Sequence, residues 1–207
     1  MDKIWGFMRD GAPFSFVNAA ILAFVIAIIA DRFVHIFSKH QVNGDEFMAQ
    51  IRKLVQAGNI DRAIKLCDAA PLPLLQVVKA GLSQVNRGED AVIAQMEERM
   101  SEVIPQLEKR IGALWSLANI ATLIGLLGTI SGLIKSFAAV AFAEPAQKSA
   151  LLSRGISEAM YNTALGLGIA VLCMLFHLIL HSWTKKIRHD LERTTMRLEN
   201  LLTLKRE

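Results

Sequence analysis

Apolar residues fall in three long blocks separated by polar stretches. From 11–30 no charged residue occurs, and the centre reads FSFVNAAILAFVIAIIA. From 111–134 there is again none, in IGALWSLANIATLIGLLGTISGLI. From 159–184 the ionisable side chains are Tyr161, Cys173, His177 and His181. A helix needs about 20 apolar residues to cross about 30 Å of hydrocarbon, so each block predicts a membrane helix. The first is followed by Asp31, Arg32 and Phe33 rather than a small-residue cleavage site, which predicts a retained helix and not a signal peptide.

Between the first two blocks the period changes to that of amphipathic helices. Phe47, Ile51, Leu54 and Val55 recur at helical spacing, then Ile60, Ile64, Leu66 and Cys67. Gly58-Asn59 and Pro71-Leu72-Pro73 punctuate the region. A further amphipathic run covers 74–86. Val92, Met96, Met100, Val103, Ile104 and Leu107 form a stripe running into the second block, which predicts one helix from cytoplasm into membrane with a kink at Pro105. In the tail, Ile187, Leu191, Leu198, Leu201 and Leu202 sit among charges and predict that the third helix continues past the membrane. The expected chain is all-α and integral to the membrane. Its segments are an N-terminus with the first membrane helix at 1–37, a helical cytoplasmic region at 38–110, and the second membrane helix at 111–143. A short outer loop at 144–154, the third membrane helix at 155–184 and a helical tail at 185–207 follow.

Lys and Arg orient these segments. They crowd the middle region and the tail, whereas the other side carries Lys3, Arg9, Lys148 and Arg154. The positive-inside rule then predicts a periplasmic N-terminus and a cytoplasmic C-terminus. Composition narrows the function. The 207 residues are 53% hydrophobic and 20% charged, which excludes a disordered chain. The net charge of +4 lies beside apolar blocks and points to membrane orientation rather than nucleic acid. Cys67 and Cys173 form no CxxC pair, so neither a disulfide framework nor a zinc site is implied. There is no GxxxxGK[ST], HExxH or GxSxG, so no enzyme activity, metal or cofactor is expected.

Small and polar residues inside the apolar blocks carry the candidate chemistry. Gly125, Gly128, Gly132, Gly166 and Gly168 suit close helix packing in lipid. Thr129 and Thr163 suit either packing, with hydroxyls bonded back to the preceding turn, or a water-filled path. Glu158 opens the third block. It is either an interfacial carboxylate at a helix start or a functional intramembrane charge, with Ser157 or Asn162 as hydrogen-bond donors. Lys135 snorkels outward as a channel-mouth charge or pairs with Glu158 or Glu144. His177 and His181 are one turn apart, too few for a metal, and suit interfacial anchoring with Trp183. A membrane scaffold, in which the glycines only pack, and an enzyme or metal transporter using His177, His181 and Glu158 are the competing classes. The latter fails on depth, since 19 residues of helix between Glu158 and His177 span about 28 Å.

IGLLGTISGLIKSF, which contains Thr129, resembles the second-helix signature of the proton-channel subunits ExbB, TolQ and MotA. RGISEAMYNTALGLGIAV, which contains Glu158 and Thr163, resembles their third-helix signature. EFMAQIRKLVQAGNIDRAIKLCDAA is similar to the helical loop of the ExbB/TolQ branch, and three rather than four membrane helices favours that branch over MotA. The resemblance implies pore-lining roles for Thr129 and Thr163 and a proton-pathway role for Glu158. It also implies a homopentamer around an ExbD/TolR-like single-span partner, which supplies the proton-carrying aspartate. The implied setting is the bacterial inner membrane, with a third protein receiving the energy. Ser131 and Lys135 depart from the family pattern, which often has a bulky aromatic and a neutral polar residue there.

Overall fold

Among the described residues, three helices are long and apolar enough to cross a membrane. The structure, a computed structural model, describes residues 13–39 and 44–203. The order is α1 (Phe14–Lys39), α2 (Gly44–Gln56), α3 (Ile60–Cys67), α4 (Pro73–Leu82), a 3-10 turn (Val85–Arg87), α5 (Glu89–Glu108), α6 (Ile111–Ala141) and α7 (Pro145–Thr203). No strand occurs among the described residues, so the fold is all-α. The chain divides into two compact units. One holds the sequence up to Arg32 together with Arg110–Ile179; the other holds Phe33–Lys109 and the sequence from Leu180 onward.

The second unit has a conventional core. Phe47, Ile51 and Val55 of α2, Val92, Met96, Val103 and Leu107 of α5, and Leu191 and Leu198 of α7 are buried together. These are the stripe positions the periodicity selects, with Leu54, Met100, Ile104, Ile187 and Leu201 partly buried around them. Leu202 lies outside the residues whose side chains are described. Local signals set the ends. α2 stops at Gly58, which takes φ +77°. There the Gly58 and Asn59 amides bond back to the Val55 and Leu54 carbonyls, closing the orphan carbonyls of the last turn. Pro73 starts α4, where its missing N–H costs nothing. Gly81 lets α4 and α5 approach, since a Cβ there would lie 2.7 Å from the Met96 sulfur. Arg188 of α7 pairs with Glu108 of α5 at 3.6 Å and with Glu192 at 3.1 Å.

Two expectations are corrected. The stripe at 89–110 does not run on into the second block as one kinked helix. α5 keeps Pro105 inside it and ends at Glu108. Lys109 is then extended and Arg110 left-handed, with φ 65°. Those dihedrals cannot continue an α-helix, so α6 begins afresh at Ile111. The stretch 144–154, expected as a loop, is mostly helix. Pro145 opens α7, whose 59 residues run unbroken through the third apolar block. Proline fits the first helical position, and 147–153 contains no further breaker.

The first unit contains α6, the apolar part of α7 and most of α1. Its ends are marked by contacts. Ser15 of α1 meets Asn162 of α7, and Asp31 of α1 meets Arg110 beside the start of α6. Ile111 of α6 meets His177 of α7. Thus α1 and α7 run parallel and α6 runs against both. The outer flanks stay apolar and exposed, including Phe24 and Ile26 of α1, Leu123, Leu127, Ile134 and Phe137 of α6, and Leu167, Val171 and Leu178 of α7. An apolar exterior of this extent suits lipid or neighbouring subunits, not water.

Candidate functional site

The α6–α7 seam is built on glycine. A Cβ on Gly125 would meet the Asn162 carbonyl oxygen at 2.8 Å and the Gly166 Cα at 3.3 Å. On Gly166 it would lie 2.5 Å from the Ala121 carbonyl oxygen. Gly128 faces the Asn162 side chain at 2.7 Å, and Gly132 faces the Ala159 Cβ at 2.8 Å. Close backbone approach of this kind is how helices associate in lipid, where burial gives no drive. Gly168 differs from these four. A Cβ there would meet nothing within 4 Å, so within this chain it packs no helix pair. The sequence reading missed Gly155, whose added Cβ would collide with the Ser136 hydroxyl.

Close approach brings Thr129 and Thr163 together. Their hydroxyls share a hydrogen bond across the seam. Thr163 also reaches the Gly125 carbonyl oxygen at 3.2 Å. Thr129 reaches that oxygen and the Ala159 carbonyl oxygen, each at 3.3 Å. Each hydroxyl has one proton to donate. Two donors therefore face two carbonyl oxygens and each other, which permits more than one hydrogen-bond arrangement. Both side chains are half-buried.

One turn further toward the C-terminal end of α6, the helices open into a cavity of about 310 Å³ lined by Phe14, Lys135, Ser136, Glu158, Asn162 and others. Glu158 pairs with Arg154, whose Nε donates to its Oε1 at 2.7 Å. Neither Asn162 nor Lys135 is that partner. Asn162 is buried and its Oδ1 accepts the Ser15 hydroxyl at 2.6 Å. Lys135 is exposed on the cavity wall. Arg154 is four residues before Glu158 on one continuous helix, the spacing at which side chains meet. Ser15 and Asn18 were missed as well. The signal was present, because they are the two polar residues of the first block and stand at i, i+3.

The histidines separate. His177 places Nδ1 3.0 Å from the Ile111 carbonyl oxygen. That oxygen only accepts, so Nδ1 carries the proton. Its ring lies against Trp115, 6.0 Å between centroids, while Trp183 lies against Phe33 at 5.6 Å. Among the described residues no group of three or more His, Cys, Asp or Glu side chains is placed to hold a metal ion.

Known proteins match this chain. Residues 70–193 match the family described as the MotA/TolQ/ExbB proton channel family. The chain is similar to the biopolymer transport protein ExbB-like 3 of Synechocystis sp., 26% identical over 73% of this chain and 72% of that protein. It is 34% identical to the biopolymer transport protein exbB1 of Vibrio cholerae, over 51% of this chain and 45% of that protein. It is 34% identical to the Tol-Pal system protein TolQ of Haemophilus influenzae, over 44% of this chain and 41% of that protein. The latter two matches thus span less than half of each relative.

Proposed function

Because this chain belongs to the MotA/TolQ/ExbB proton channel family, we propose that it is the ring-forming subunit of an inner-membrane motor driven by proton flow. The family supplies the general role of a multi-pass proton-channel subunit. The ring, its partner and the residues that carry protons are our reading. Copies of the chain, five by family resemblance, surround single-span helices of an ExbD/TolR-like protein, whose carboxylate takes up and releases the proton. The exposed apolar flanks of α1, α6 and α7 suit such neighbours.

The observation that carries the reading is the Thr129–Thr163 pair. It is the polar group held between α6 and α7 inside the apolar span, and its hydroxyls have a choice of acceptors. A proton passing beside it needs donors and acceptors in a medium that otherwise has none. Glu158, Arg154 and Lys135 set the charge at the outer mouth. A charge falling through 100 mV releases about 2.3 kcal/mol. Neutralising the partner's carboxylate changes where it rests in the ring, and the ring and partner shift relative to each other. The partner passes the force to a third protein in uptake, envelope maintenance or motility.

The test is to co-purify the chain with its single-span partner, determine the native mass, and measure proton flux driven by a pH gradient in liposomes. A ring of about five subunits with flux abolished by Thr163→Val is the expected result, since the hydroxyl donor is lost at constant shape. A monomer without a partner, or flux indifferent to that change, returns the chain to a structural scaffold.

A further inference from the structure

Asn18 is fully buried in α1, and neither its Oδ1 nor its Nδ2 has a hydrogen-bond partner. An apolar residue would suit a membrane helix better, and buried polar groups are nearly always paired. Its surroundings follow from the helix. Ser15, three residues earlier, lies on the same face. The Ser15 hydroxyl donates to Asn162 Oδ1, and Asn162 lines the outer cavity beside Glu158 and Lys135. Since α1 and α7 run parallel, Asn18 stands about 4.5 Å further in, level with the turn that carries Thr163. Beyond it the next buried residues of α1 are apolar, Val25 and Ile28, and the next buried polar one, Arg32, lies about 21 Å further along the helix. The polar track entering the protomer from the cavity therefore ends at Asn18.

We propose that Asn18 holds a water molecule at the inner end of this track, so that water enters between α1, α6 and α7 and feeds protons toward the Thr129–Thr163 pair. Buried waters usually make about three hydrogen bonds. The amide supplies an acceptor and a donor, and the Ser15 oxygen, which donates to Asn162, keeps lone pairs for a third. The proton hops along this water and leaves it unchanged. The proton-feeding role rests on the channel function proposed above; the hydration does not.

The experiment uses the complex in membranes, with Cys67→Ala and Cys173→Ala removing the native thiols. Asn18→Cys and, as a control on the apolar part of the same helix, Val25→Cys are treated with 2-aminoethyl methanethiosulfonate. A thiol reacts as thiolate, which needs water, so Asn18→Cys is expected to react at least about tenfold faster. Equal rates overturn the water site. In parallel, Asn18→Leu is expected to lower proton flux several-fold at unchanged native mass, while Asn18→Ser keeps it. Normal flux in Asn18→Leu overturns the feeding role. A wild-type complex with no flux overturns the channel reading, and the labelling rates still decide the water site.

Discussion

The hydroxyls of Thr129 and Thr163 bond to each other across two helices, and the Gly125 carbonyl oxygen lies within reach of both. The pair exists because glycine at 125 and 166 lets the backbones meet. A side chain at either position would press on the facing backbone and so move the two helices, and with them the two hydroxyls, apart.

Thr129→Val is therefore expected to abolish proton flux while leaving the native mass unchanged, and Thr129→Ser to restore most of it. Valine keeps the shape and removes the donor. Liposome flux with native mass measures both, and equal flux in the valine and serine variants would show that the hydroxyl carries nothing.

Gly166→Ala and Gly168→Ala should part company. The first drives a methyl into the Ala121 carbonyl, where backbone must move, and is expected to cost roughly 1–3 kcal/mol. The second meets nothing within 4 Å and should be neutral or gain up to about 1 kcal/mol from helix propensity. Thermal unfolding of the solubilised protein compares them, and matching shifts would contradict the seam.

Glu158→Gln breaks an ion pair whose Arg154 side chain is 76% exposed. Pairs of this kind contribute about 0.3–0.5 kcal/mol, so unfolding should barely change. Altered flux in this variant at unaltered stability would place Glu158 on the ion's route; a large loss of stability would make it a structural residue.

Burial pushes the Cys67 thiol up to about 11, with Asp68 adding to the rise and Lys79 opposing it. The folded chain thus holds a proton that the unfolded chain, at an ordinary thiol value near 9.0, gives up first. The stabilisation is complete below pH 9 and falls as pH rises to 11, by at most about 3 kcal/mol in all. The stability difference between wild type and Cys67→Ala should shrink over that window. A difference independent of pH in denaturant titrations would refute the shift.

The long apolar helices and the core of the second unit were legible because each depends on local periodicity. Runs without charge announce α1, α6 and α7, and the Val92–Met96–Val103–Leu107 stripe announces the face that α5 buries. The break at Lys109–Arg110 was not legible. Pro105 drew attention as the breaker, whereas the chain turns at a left-handed arginine, a conformation that composition does not advertise. At the site, the threonines and four of the five glycines stood out as polar or small residues in apolar surroundings. Their partners did not, since Ser15 and Asn162 are 147 positions apart. Arg154 was obscured by assigning it to a loop, which removed the i, i+4 relation to Glu158.

That separation of 147 positions has a consequence in time. Synthesis at 5–20 residues per second leaves about 7 to 30 s between the emergence of Ser15 and that of Asn162. Throughout that interval the nascent α1 carries a serine whose partner has not yet been made, and beside it the asparagine at 18. A serine hydroxyl can turn back onto its own helix while it waits; an asparagine amide is harder to satisfy that way. The order of translation thus obliges the first helix to carry both polar groups alone until the third is made.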